Sequence, residues 1–245
     1  MAQHSIVALV TQGFNGLGYH IGKELLKCSP KTFTYLTARG DFRGLPEFLG
    51  FDVGGRARNR AEFVNMDITH IPSVNELKES ILGRWETGLD IMVINNAALY
   101  EPPDLENFPE QTKNILEMNY YGYRNVLAFF PYSHLNNGAR ILTITPNLPE
   151  VTGEQNNLMR FTSERFNKVE NIYELDDLVM KFLRDVEANK ASQEGWPSCA
   201  YTVSNMAINC HTRLYYLKVL SFLVPSLLSG FFRRNLTDQV AKTLL

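Results

Sequence analysis

The chain has 245 residues, 44% hydrophobic and 20% charged, and its 24 Lys and Arg against 26 Asp and Glu give a formal net charge of −2. That length allows a sizeable core in one large domain or two small ones, and the composition excludes disorder for the bulk of the chain. The balanced charge, with no dense Lys/Arg tract, excludes a nucleic acid as the main partner and leaves small molecules or proteins.

Met1 to His4 leads straight into an apolar run, without the basic region or cleavage site of a secretory signal, and the cysteine usage makes a reducing cytoplasm the expected compartment. Cys28, Cys199 and Cys210 are few and widely spaced, which suggests neither a disulfide framework nor a zinc knuckle. His4, His20, His70, His134 and His211 form no metal-ligand spacing, and no metal is expected.

In chain order, Ser5 to Thr11 reads as a β-branched strand, followed by a glycine cluster and a helix from Tyr19 to Cys28 with Ile21, Leu25 and Leu26 at helical spacing. Thr32 to Thr37 and Glu62 to Met66 are further strands. Ser73 to Trp85 reads as an amphipathic helix, with Ser73 and Glu76 at capping-box spacing. Asp90 to Ile94 is a strand, Glu110 to Phe130 a helix and Arg140 to Thr145 a buried strand. Strands alternating with helices predict an α/β fold with a parallel sheet covered on both faces. Residues 146–197 read as an insertion with a helix at Glu174 to Asn189, and another helix begins near Ala200. Residues 214–245 form an atypical apolar C-terminal segment. Its uncharged core, Val219 to Phe232, is shorter than the ~20 residues of a membrane span and reads as a buried helix or hairpin, with a membrane-associating tail as the alternative.

After the first strand, Thr11-Gln12-Gly13-Phe14-Asn15-Gly16-Leu17-Gly18 forms a turn whose glycines let the backbone approach a pyrophosphate, with the next helix aiming its amides at that anion. Strand before and helix after are the context a dinucleotide site requires. Here the residues resemble the short-chain dehydrogenase/reductase family, whose turn reads TGxxxGxG, and within it the carbonyl reductases. The resemblance spans residues 5 to about 213. It is carried also by Leu36-Thr37-Ala38-Arg39, Met66-Asp67-Ile68, Asn95-Asn96-Ala97, Glu117 to Gly122 with Asn119, and Glu194 to Tyr201, which is similar to an EGWPSSAY run.

The resemblance implies a single Rossmann-type domain over residues 1–245, a doubly wound three-layer α/β/α sheet with a helical insertion before the Tyr201 helix. It also implies a monomer that passes a hydride from NADPH to a ketone, quinone or aldehyde. The cofactor would meet Gly13, Asn15, Gly16, Leu17, Gly18, Arg39, Asp67, Ile68, Asn95, Ala97, Tyr201 and Asn205. Arg39, just past the second strand, can pair with a ribose 2′-phosphate, which favours NADP over NAD. Arg43, Arg56, Arg58 and Arg60 add positive charge to the following loop.

In the family a Tyr hydroxyl gives the proton, a Ser shares the substrate oxygen, a Lys four residues after the Tyr lowers its pKa, and an Asn completes the relay. Tyr201 and Asn119 stand where required, whereas the Lys position is Asn205 and the Ser position falls on Pro146. A cation near 4 Å supplies up to about 4 kcal/mol, or roughly three pKa units, toward ionising a Tyr of pKa about 10. Asn205 can hydrogen-bond a ribose hydroxyl but carries no charge. Thr145 neighbours Pro146, and adjacent strand side chains point to opposite faces, so it substitutes only if the backbone shifts. Gln12 replaces the first Gly of the turn and Ala98 the last Gly of NNAG, and no counterpart of the family's PG-containing nicotinamide loop is recognised. Two readings remain: a carbonyl reductase with weakened chemistry, or an inactive homologue or truncated isoform acting as cofactor sensor or interaction scaffold.

Overall fold

The computed structural model describes residues 5–40, 60–85, 88–95, 107–146 and 157–223. They fall into two compact units, one holding the described residues of 5–95 with 124–144, the other those of 107–123 with 145–223.

The first unit is built on five strands, β1 (Ile6–Thr11), β2 (Thr32–Ala38), β3 (Ala61–Asn65), β4 (Leu89–Asn95) and β5 (Leu135–Ile144), all parallel in the order β3-β2-β1-β4-β5. The order reverses at β1 and β4, as the doubly wound α/β class requires. Helix α1 (Gly16–Cys28) sets Ile21 and Leu25 against Ala8, Val10, Leu36, Ile91 and Val93 in one core cluster. Each such side chain, fully buried, contributes about 1.5 to 3 kcal/mol. Gly22 lets α1 lie directly on β2, because a Cβ there would collide with Leu36. Asp90 fixes β4 between its neighbours: Val7 N donates to its Oδ2 and Asn136 Nδ2 to its Oδ1, both at 2.8 Å.

Helix α2 (Ile71–Arg84) starts two residues before the expected Ser73, with Pro72 in its first turn, where a missing N–H costs nothing. Ser73 is therefore not its cap. The hydroxyl instead accepts the backbone amide of Asp67 at 3.1 Å, and the capping-box expectation is corrected. Strand β5 begins at Leu135 instead of Arg140, because Gly138, at φ 81°, absorbs an irregularity in its register with β4.

The second unit is helical, with α3 (Phe108–Leu116), a π-helical turn (Glu117–Tyr121), the start of α4 (Gly122–Phe129), α5 (Asn157–Asn167), α6 (Ile172–Glu187) and α7 (Ala200–Leu223). Within the insertion, α6 buries Leu175, Val179, Phe182 and Val186, one stripe at helical spacing. Its N-cap Asn171 accepts the amides of Tyr173 and Glu174, both at 3.1 Å. Trp196 is 1% exposed and closes the insertion. Its ring lies 5.1 Å from Phe182 and under the Arg165 guanidinium, and its Nε1 donates to Asp185 at 2.7 Å. Helix α7 continues through Leu223, so the apolar run beginning at Val219 starts as helix, and residues 224–232 lie outside the described residues. Among the described residues no helix is long and apolar enough to cross a membrane, and no cluster of metal-ligating side chains occurs.

Candidate active site

In the first unit the candidate cofactor turn leaves the C-terminal end of β1, at the point where the strand order reverses and open α/β sheets bind ligands. Thr11 Oγ1 donates to the carbonyl of Asn95 at 3.3 Å, tying the ends of β1 and β4, and Gly13 N donates to Thr37 O at 2.8 Å. Asn15 and Gly16 are exposed, Leu17 is half-buried and Gly18 is buried. Gly16 has φ 51°, with open space where a Cβ would stand. At Gly18 a Cβ would collide with the carbonyl of Gln12 and sit 2.8 Å from Asn95 Nδ2, so only glycine fits. Asn15, the N-cap of α1, makes no side-chain cap hydrogen bond, and the first turn of α1 holds no acid. Its leading amides thus have no side chain competing for them, which fits a pyrophosphate.

Gln12 adopts φ 50°, the left-handed conformation a glycine takes freely, at a cost of about 1 kcal/mol or more. Gly13 beside it is packed tightly, since an added Cβ there would come within 2.7 Å of Leu36.

Arg39 follows β2, its side chain 52% exposed and 3.8 Å from Asp67. Such an exposed pair is worth at most about 1 kcal/mol, so the guanidinium can turn to a phosphate at little cost. Asp67 is held by Thr69, whose amide and hydroxyl donate to Oδ1 at 2.9 and 2.7 Å. Partial burial pushes its pKa up, but the Thr69 hydrogen bonds, with Arg39 and His70 nearby, outweigh it and hold the carboxyl below its ordinary value. The carbonyl of Ile68 accepts Asn125 Nδ2 at 2.9 Å, which orders this strand end. Arg60 does not belong to a cationic phosphate loop. Its Nη1 donates to the carbonyls of Leu26, Ser29 and Thr32, capping the C-terminus of α1 at the end of β2 away from Arg39, roughly 20 Å along the strand. Arg43, Arg56, Arg58, Asn96, Ala97 and Ala98 lie outside the described residues.

In the second unit Tyr201 stands in the first turn of α7, 8% exposed, packed with Met159, Cys199 and Met206. Asn119 lies in the π-helical turn, a rare bulge that re-aims one side chain. Its Nδ2 donates to Ser204 Oγ at 3.1 Å, and Ser204 Oγ donates to the carbonyl of Tyr201 at 2.9 Å. Ser204 was not singled out in the sequence, although its position three residues after Tyr201 on a helix could have marked it. Asn205, four residues after Tyr201, is fully buried and donates Nδ2 to the carbonyl of Tyr201 at 2.9 Å. Its amide is thus turned back on the helix backbone, and no cation stands at that position.

Pro146, just beyond β5, lines a cleft of about 480 Å³ between α5 and α7. The neighbouring Thr145 hydroxyl donates to Asn209 Oδ1 at 2.8 Å and so is already engaged.

A glycine turn at the switch point of a doubly wound sheet defines a nucleotide-binding α/β protein. The short chain dehydrogenase family model matches residues 6–156, and the chain belongs to that family. Human carbonyl reductase [NADPH] 1 is 27% identical over 224 residues, covering 87% of this chain and 74% of that protein. Short-chain dehydrogenase/reductase 1 of Saponaria officinalis is 25% identical over 256 residues, covering 94% and 82%. Among solved structures, menthone neomenthol reductase from Mentha piperita superposes with a TM-score of 0.73 at 24% identity, covering 88% of this chain and 86% of that one, a likeness of fold. The family and the carbonyl-reductase likeness agree with the sequence motifs.

Proposed function

We propose that this chain binds NADP(H) and carries a carbonyl-reductase-type site reduced to Tyr201 and Asn119, so that reduction of a ketone, quinone or aldehyde is slow. The observation that carries this reading is Asn205, buried and spending its amide on the Tyr201 carbonyl where the family has a lysine. When bound, the cofactor supplies the hydride. Gly16, Gly18 and the open amides of α1 hold its pyrophosphate, and Arg39 with Asp67 receives the adenosine end. Tyr201 gives the proton to the carbonyl oxygen, and Asn119, through Ser204, steadies the turn that carries it. Without a lysine the hydroxyl loses its electrostatic help, and Pro146 offers the substrate oxygen no donor. One missing preorganised donor costs about 10²- to 10³-fold in kcat. The printed names of the mammalian relatives support the choice of NADPH and carbonyl substrates. The three free cysteines suit a cytoplasmic protein, and the insertion suits a monomer.

The second reading is a cofactor sensor or interaction scaffold without turnover, favoured by the simultaneous change at Pro146 and Asn205. Quinone-dependent NADPH oxidation by the chain and by the Pro146→Ser/Asn205→Lys double variant separates the two, with circular dichroism as a check because an ammonium enters a buried position. The reductase reading expects slow turnover that rises at least 100-fold in the variant. No turnover in either protein, with NADPH still bound, would favour the sensor.

A further inference from the structure

We propose that the cleft between α5 and α7 binds a mainly apolar small molecule bearing one carboxylate. The cleft is formed by helical rows that face each other: Met159, Arg160, Ser163, Phe166 and Asn167 on α5, and Met206, Asn209, Cys210 and Arg213 on α7, with Pro146 at one end. Helices packed ridge into groove leave little space at axial separations of 8 to 10 Å, whereas here about 480 Å³ remains, within the range of small-molecule sites.

The chemistry of the walls selects the ligand. Met159, Phe166, Met206 and Pro146 supply an apolar surface, and methionines adapt to varied shapes. Among the described residues, two arginines and no carboxylate line the cleft, so an anion meets favourable charge from them. Arg213 is preorganised. Its Nη2 donates to the carbonyls of Phe166 at 3.2 Å and Val169 at 2.8 Å and lies 3.5 Å from Cys210 Sγ, so that among the described residues Nε and Nη1 are left for a ligand. Asn209 has its Oδ1 taken by Thr145, which leaves the amide NH₂ to donate. Arg160 sits on the exposed side, paired at 3.6 Å with Glu164 in an i,i+4 contact too weak to hold it from a ligand. Burial pushes the Cys210 thiol up, against the smaller influence of Arg213, so Cys210 adds no competing negative charge.

Met159 shares a packed cluster with Tyr201, against which Met206 also lies, so a carbonyl-bearing ligand of this class would suit the reaction proposed above. Occupancy needs no turnover, and failure here leaves that reading standing.

The test is calorimetric titration of the full chain with decanoate and with decanamide, a neutral probe of the same length. Decanoate is expected to bind at least tenfold more tightly than the amide, Arg160→Gln to shrink that preference several-fold, and Ser163→Trp, which fills the cleft, to weaken both probes. A diazirine-bearing decanoate covers the case in which Ser163→Trp does not fold, and is expected to label peptides spanning residues 159–167 and 206–213. Equal affinity for the two probes, no binding, or labelling confined to other peptides would overturn the proposal.

Discussion

The glycine turn of the first unit and the tyrosine helix of the second treat their polar groups in opposite ways. In the turn, the leading amides of α1 face no capping side chain and Asn15 and Gly16 are exposed, so hydrogen-bonding capacity is held open. Around Tyr201 the side chains are spent locally: Asn205 and Ser204 both donate to the Tyr201 carbonyl, and Asn119 donates to Ser204. The cradle proposed for the pyrophosphate is made of backbone and does not depend on the side chain of Gln12, which adopts a positive φ. On the proposed reading the proton relay is made of side chains, and Asn205 and Pro146 deprive it of its charge and of one donor. The two regions therefore keep different fractions of the chemistry their shared fold supports.

Substitutions in the two regions should have effects of different size. The largest effect is expected for Trp196→Ala, which empties a fully enclosed site between Phe182 and Arg165 and leaves Asp185 without its indole donor. It should cost about 3 to 5 kcal/mol in urea unfolding, and a loss confined to the second unit would appear as a separate early transition. Gly18→Ala should be next. Its methyl group meets the Gln12 carbonyl and Asn95, so about 1 to 3 kcal/mol of stability and all measurable NADPH binding should be lost together. Arg39→Ala should weaken NADPH binding about tenfold while leaving NADH unchanged, the signature of a charge-assisted bond to the 2′-phosphate. Unfolding should barely move, because the pair with Asp67 is exposed. The smallest effect is expected for Gln12→Gly, where relief of the left-handed backbone is offset by glycine's greater freedom when unfolded, for a net gain of up to about 1 kcal/mol in thermal denaturation.

Most of the α/β framework was legible because hydrophobic period and glycine punctuation act locally. β1, the turn and α1 follow from Ser5 to Cys28 with little help from distant residues. Where tertiary contacts decide, the sequence was a poorer guide. Ser73 has the spacing of a cap, but Asp67 competes for its hydroxyl and the helix starts at Ile71. The apolar run predicts a strand only from Arg140, yet pairing with β4 extends it back to Leu135. Helix α5 is so polar that its period was not visible, and the π-helical turn at Asn119 has no compositional mark. The site residues were named from motifs, but motif spacing could not say that Asn205 would be buried against its own helix, or that Arg60 would cap α1 instead of facing a phosphate.

The proposed function requires a nucleotide-binding turn that works beside a depleted proton relay. Calorimetric titration of the purified chain with NADPH, and with NADH as the comparison, tests it most directly. NADPH is expected to bind saturably and more tightly than NADH. Absence of binding to either nucleotide by the folded protein would contradict it.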